Sequence, residues 1–185
     1  MPVCYGGGIT TVEQMRKIFH SGIEKVSLSA AALNNPALVK QAATQFGSQS
    51  VIVTLDIKSS LFKHQYQLVT HNGSTKTRKD PIQTAIEMEN LGAGELVINN
   101  VDRDGVMDGY DTAYLKQIVD AVDIPVIALG GAGTNEHLKN VIVDAGASAA
   151  AAGSMFVFHG RHKAVLISYP TQDKIQQLLG TTIHE

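Results

Sequence analysis

The chain has 185 residues, 44% of them hydrophobic, with a formal net charge of −2. That is apolar material for one substantial core, read as a single domain over 1–185, and the weak charge excludes the footprint of a nucleic-acid or anionic-membrane binder. One cysteine, Cys4, excludes an internal disulfide framework, and the sequence shows neither a signal segment nor an apolar run of membrane-spanning length, so the reading is cytoplasmic.

In chain order, a short strand over 2–5 is followed by a helix over about 11–20, with Val12, Met15 and Ile18 or Phe19 on its apolar stripe. A strand over 25–29 leads to a helix starting near Asn34, with Pro36 in the first turn, where proline costs no hydrogen bond. The run 51–56 reads as a buried strand ending on Asp56. The polar, β-prone stretch 62–77 carries an Asn72-Gly73 turn signal and reads as an inserted hairpin. A helix over about 81–91 precedes a strand over 95–99, and a helix over about 112–122 precedes a strand over 124–129. The last clear strand is 148–152.

One element of this series occurs twice. Gly6-Gly7-Gly8-Ile9-Thr10 returns as Gly130-Gly131-Ala132-Gly133-Thr134, 124 positions later, and the register holds without a gap: Gly22 falls on Gly146, and Ser29-Ala30-Ala31 on Gly153-Ser154-Met155. Each copy reads as strand, glycine loop, helix, strand and small-residue loop, the mark of a duplicated α/β unit. Small residues leave backbone N–H groups bare at a helix N-terminus, where unpaired donors and the helix dipole stabilise an anion. Two loop pairs suit a substrate with a phosphate at each end, and the second pair, Gly130-Gly131 with Gly153-Ser154, whose motif is better preserved, is the expected phosphate site. The alternative is that they are merely tight strand-to-helix turns.

Strands alternating with helices at this spacing imply a parallel sheet with crossover helices. Regular units, polar and glycine residues at strand C-termini, and phosphate loops after the late strands favour a (β/α)8 barrel of the TIM type over an open sheet. About six strand–helix units are present where a closed barrel has eight, so the expectation is an incomplete barrel corresponding to strands 3–8. Asp56 and Asp104 have no counterparts 124 positions earlier, which places the expected missing material, on the order of 70 residues, at the N-terminal side. The outer strands of such a sheet present unpaired edges, and self-association through them is expected.

Several motifs resemble one family. Gly-Gly-Gly-Ile at 6–9, Lys25-Val26-Ser27, Gly47-Ser48-Gln49, Leu55-Asp56-Ile57-Lys58 and Gly92-Ala93-Gly94-Glu95 resemble the cyclase subunit of imidazole glycerol phosphate synthase and its close paralogues. So do Asp102-Arg103-Asp104-Gly105, Asp108-Gly109-Tyr110-Asp111 and the run Ile124 to Gly133. The resemblance implies a two-fold-repeated (β/α)8 barrel that takes ammonia from a glutaminase partner subunit. It further implies acid–base work by two strand-end aspartates on a bis-phosphorylated small molecule, in histidine biosynthesis.

Residue by residue, Asp56 matches the family's fifth-strand aspartate and Asp104 a second active-site residue; ring closure with ammonia needs one group to accept protons and another to donate them. Gly7, Gly8, Ser29, Asn99, Gly105, Gly130, Gly131, Gly153 and Ser154 match substrate- and phosphate-binding positions. Lys25 and Glu95 match charged residues where ammonia enters. Read without the family, Asp56 is also a helix cap or hairpin anchor, Asp104 an Asx turn before Gly105, and Lys25 and Glu95 solvated surface charges. Cys4 is expected to be a small buried strand residue rather than a nucleophile. The seven histidines show no metal spacing, and neither metal nor cofactor is expected.

The chain departs from the family's histidine-pathway members at three places: Ser29-Ala30 stands for Asn-Thr, Leu129 for a serine and Asn99 for a threonine. Cys4-Tyr5 and the segment Lys163 to Pro170 resemble a paralogous branch associated with amidation of sugars in surface polysaccharide synthesis. Sugar amidation is therefore the alternative activity. A non-catalytic fragment that binds phosphate or a partner, lacking the first-strand aspartate, is the alternative of a different class.

Overall fold

A computed structural model describes residues 3–60, 66–70, 73–160 and 164–180. Pro2, part of the 62–77 hairpin including Asn72, and Lys163, all used in the reading above, lie outside the described residues.

Six parallel strands form one curled sheet, a half-barrel, in the order β1 (Cys4–Gly6), β2 (Lys25–Leu28), β3 (Val51–Ser59), β6 (Glu95–Asn100), β7 (Val126–Leu129) and β8 (Ala149–Ala150). The fold expected from the sequence, an incomplete TIM-type barrel of about six units, is the fold observed. After β3 the chain turns back as β4 (Tyr66–Thr70) and β5 (Thr75–Lys76), both antiparallel to their neighbours. Asp56 pairs with Asn99 of β6 on one side and Val69 of β4 on the other, so the hairpin extends the sheet above the short strand β2.

The helices cover one face of this sheet: α1 (Val12–His20), α3 (Ala37–Phe46), α4 (Pro81–Asn90), α5 (Thr112–Val119) and α6 (Asn135–Val143). Alternation along β3 shows why. Val51, Val53, Leu55 and Ile57 are at most 1% exposed and share a core with Met15, Val39, Met88 and Ile118 of the helices. Thr54, Asp56 and Lys58 are half-buried and face the concave side, the lumen of the half-barrel. Each helix start is capped where the sequence offers a cap. Thr11 accepts from the Gln14 backbone in a reciprocal capping box, and Asp80, with Pro81 behind it, accepts from Gln83. None of the described helices is long and apolar enough to cross a membrane.

Two one-turn helices were not expected. They are α2 (Ala30–Asn34) and α7 (Ser154–Val157), directly after β2 and β8. The helix placed near Asn34 begins instead at Ala37, with Pro36 as its N-cap residue. Beyond α7 the chain forms a small antiparallel pair, β9 (Phe158–His159) with β10 (Ala164–Val165), then α8 (Gln172–Leu179).

The duplication extends to the backbone. β2 and β8 begin 124 residues apart, and so do α2 and α7. Gly7 and Gly131 have φ of 109° and 123°, and Gly22 and Gly146 of 89° and 72°. Ser29 and Gly153, which precede the two short helices, share an uncommon backbone conformation at φ −119°, ψ −97° and φ −108°, ψ −73°.

Candidate functional site

The two glycine loops share a positive φ at Gly7 and Gly131 and differ at the flanking positions, where Gly8 and Gly130 have positive φ and their counterparts Ala132 and Gly6 do not. They are also packed differently. Around the first, residues Gly6–Thr10 and Ser27–Ala31 join Thr54 and Asp56 to line a cleft of about 580 Å3 at the C-terminal ends of β1 to β3. A Cβ added to Gly7 or Gly8 would meet nothing within 4 Å among the described residues, so both backbones face open space. Around the second, Gly130, Gly131, Gly153 and Ser154 join Asp104 and Gly105 to enclose only about 10 Å3, room for about one water.

The loop over 101–110 fills the difference. A Cβ on Gly130 would lie 2.5 Å from the Asn100 carbonyl oxygen, and one on Gly131 would lie 2.2 Å from that of Gly109. These two glycines are therefore demanded by backbone packing, whatever else they do. The Gly109 N–H donates to the Gly131 carbonyl at 2.8 Å, Arg103 Nη1 donates to the Gly109 carbonyl at 3.0 Å, and the Tyr110 hydroxyl donates to the Ala151 carbonyl at 2.7 Å. Asp102 anchors the loop's other end, accepting from both the backbone N–H and the hydroxyl of Ser59 at 2.8 Å. Asp111 caps α5 and accepts the hydroxyl of Tyr66 from the hairpin. Burial, helped by the Asp111 carboxylate, pushes the Tyr66 pKa up.

Asp56 stands at the lumen face where β3, β4 and β6 meet. Its Oδ1 accepts a 2.8 Å hydrogen bond from Asn99 Nδ2. Beneath it, Ser27 Oγ and Thr54 Oγ1 lie 2.6 Å apart. These two hydroxyls lacked any motif of their own; the signal was polar residues on alternate positions of β2 and β3, where the intervening residues are apolar. Asp104 is exposed and lies at the second loop pair, so the two aspartates line separate cavities.

At the N-terminal end of the lumen, Lys25 opens β2 and Glu95 opens β6; their side chains form an ion pair across the start of β3. Cys4 is exposed rather than buried as expected, because its strand is paired on one side only. Desolvation by the packed neighbouring strand and the Glu95 carboxylate nevertheless push its thiol pKa up, against a smaller lowering by Lys25. Such a thiol stays protonated and is a poor nucleophile. A larger cleft, about 670 Å3, lies between the start of α6, α7 and the start of α8; Gly133, Thr134 and Met155 of the second repeat copy and Ser168 to Pro170 border it, and none of the candidate catalytic or phosphate-binding residues does.

The sequence model of the histidine biosynthesis protein family matches residues 1–163. The chain belongs to that family. It is 45% identical over 170 residues to a Leptospira borgpetersenii protein provisionally named imidazole glycerol phosphate synthase subunit HisF, covering 92% of this chain and 67% of that one. A Pseudomonas aeruginosa protein provisionally named subunit hisF2 is 45% identical over 175 residues, covering 95% of this chain and 69% of its own length. The imidazole glycerol phosphate synthase subunit HisF of Chlorobaculum parvum is 44% identical over 158 residues, covering 85% and 62%.

Proposed function

We propose that the chain carries the synthase chemistry of a glutamine amidotransferase complex of the imidazole glycerol phosphate synthase type. Ammonia from a glutaminase partner is added to a bis-phosphorylated substrate, in histidine biosynthesis, to give imidazole glycerol phosphate and an aminoimidazole carboxamide ribotide. The observation that carries this reading is the first cleft, which brings an open glycine loop and the strand-end carboxylate Asp56 to one wall. Bare backbone N–H groups suit a phosphate, and a carboxylate within reach of the same ligand suits proton transfer.

Within this reading Gly7, Gly8 and Ser29 hold one phosphate. The loops of Gly105, Gly130, Gly131, Gly153 and Ser154 hold the other once the 101–110 loop gives way. Asp56 and Asp104 serve acid–base roles, and Asn99 orients the reacting part. The Lys25–Glu95 pair marks where ammonia enters the lumen. Sugar amidation is the second reading. It is favoured by the neighbouring pair Asn99 and Leu129, which makes the lumen wall beside Asp56 less hydroxylic than the histidine-pathway pattern.

Two measurements test the proposal: calorimetry with inorganic phosphate, and ammonium-dependent turnover of the bis-phosphorylated ribotide. Binding together with turnover supports it. Binding without turnover of either ribotide or sugar phosphate favours the non-catalytic alternative, and absence of phosphate binding refutes the assignment of the cleft.

A further inference from the structure

Asn99 Oδ1 is buried and has no hydrogen-bond partner among the described residues. The amide's orientation is set by chemistry. Its other end meets Asp56 Oδ1 at 2.8 Å, and a carboxylate only accepts, so the NH2 group faces Asp56 and the carbonyl faces away. Asn99 pairs across the sheet with Asp56 on one side and Leu129 on the other, and Val97 is the next lumen-facing residue along its own strand. None of these three side chains offers a donor. Asn100 points to the opposite face, where its amide already donates to the Tyr66 hydroxyl at 3.3 Å. An orphaned buried acceptor is costly and uncommon, and it is tolerated where a ligand supplies the missing donor.

We propose that Asn99 is a two-sided specificity residue, whose NH2 group holds Asp56 while its carbonyl oxygen receives an N–H of the bound ligand. The inference rests on the cleft reading above and adds the chemical class of the ligand beside Asp56: a nitrogen with a hydrogen to give. That nitrogen is either ammonia itself or an amino group on the phosphorylated compound.

The test compares glucose 6-phosphate with glucosamine 6-phosphate, probes matched in phosphate and ring and differing in one amino group. The wild-type chain is expected to bind the amino sugar roughly tenfold more tightly, the worth of one hydrogen bond to a buried acceptor. In Asn99→Leu the preference collapses to near one. Asn99→Ala, which leaves space rather than a new side chain, shows the same collapse. Asn99→Asp retains an acceptor and keeps the preference. Ammonium chloride separates the two sources of nitrogen. If free ammonia is the donor, ammonium tightens glucose 6-phosphate binding in the wild type and not in Asn99→Leu. If the compound carries the donor, only the amino sugar gains. A wild type showing neither effect, or a preference that survives Asn99→Leu and disappears in Asp56→Asn, overturns the inference and leaves the phosphate cleft standing. Absence of inorganic phosphate binding in the wild type overturns the cleft reading and this inference together.

Discussion

Asp56 is held by a donor on the neighbouring strand and opens onto the same cleft as the first glycine loop. Proton transfer and phosphate contact are thus separable at the level of single atoms. Asp56→Asn keeps the shape of the side chain and removes its capacity to take a proton. Turnover with ammonium should fall by roughly two to four powers of ten, with inorganic phosphate affinity within a factor of two of wild type. Steady-state kinetics beside calorimetry checks both halves, and full activity would remove Asp56 from the mechanism. The glycines make a second contrast. Gly7 and Gly131 both have positive φ, so alanine strains either backbone. Only at Gly131 does the new methyl group also meet a backbone oxygen, at 2.2 Å. Urea unfolding should therefore show Gly131→Ala as the costlier change, by about 2 kcal/mol, the usual range for overpacking. Equal costs would mean that the 101–110 loop does not bear on the second glycine loop.

Among the elements, the 101–110 loop and the strands beside it bury tyrosine hydroxyls. Tyr110 is 7% exposed, and burial raises the pKa values of Tyr110, Tyr114 and Tyr66. A phenol whose pKa is higher in the folded chain contributes stability that is fully present below its unfolded value near 10 and is lost as pH rises through the folded value. Unfolding free energy should therefore fall steeply above about pH 10, and Tyr110→Phe should make that fall shallower by about 1.4 kcal/mol per pH unit. Denaturant titrations at several alkaline pH values measure the slope; an unchanged slope would show that Tyr110 ionises as freely folded as unfolded. The larger elements were legible in the sequence because local signals agreed with the fold: apolar alternation in β3, Thr11 before α1, and Asp80-Pro81 before α4. The short helices α2 and α7 were not, since each is a single turn whose N-cap residue makes no side-chain cap bond. The filling of the second glycine loop was also hidden. It depends on Asn100 of β6 and Gly109 of the loop after it meeting the second glycine loop, and no local pattern encodes that meeting.

At the scale of the whole molecule, β1 pairs only with β2 and β8 only with β7 among the described residues, so each outer strand keeps a row of backbone groups without a strand partner. Sedimentation velocity across micromolar concentrations is expected to show concentration-dependent self-association through these edges; a sharp monomer boundary at every concentration would refute it. The internal repeat was readable from spacing alone, and the starts of β2 and β8 and of α2 and α7 coincide at the same offset in the folded chain. The site was legible only in outline, as glycine loops and a strand-end aspartate. Which loop stays open depends on packing at long sequence separation. The shared backbone at Ser29 and Gly153 has a further consequence. A serine already occupies that conformation in one copy, φ is negative at both positions, and a Cβ on Gly153 would meet nothing within 4 Å. Gly153→Ser should fold with unchanged or slightly higher stability, up to about 1 kcal/mol in urea unfolding. A marked loss would show that the two backbones are alike in angle and not in tolerance. If the variant folds as expected, the two copies are interchangeable at this position, and a hydroxyl present in one can be transplanted into the other by changing a single codon.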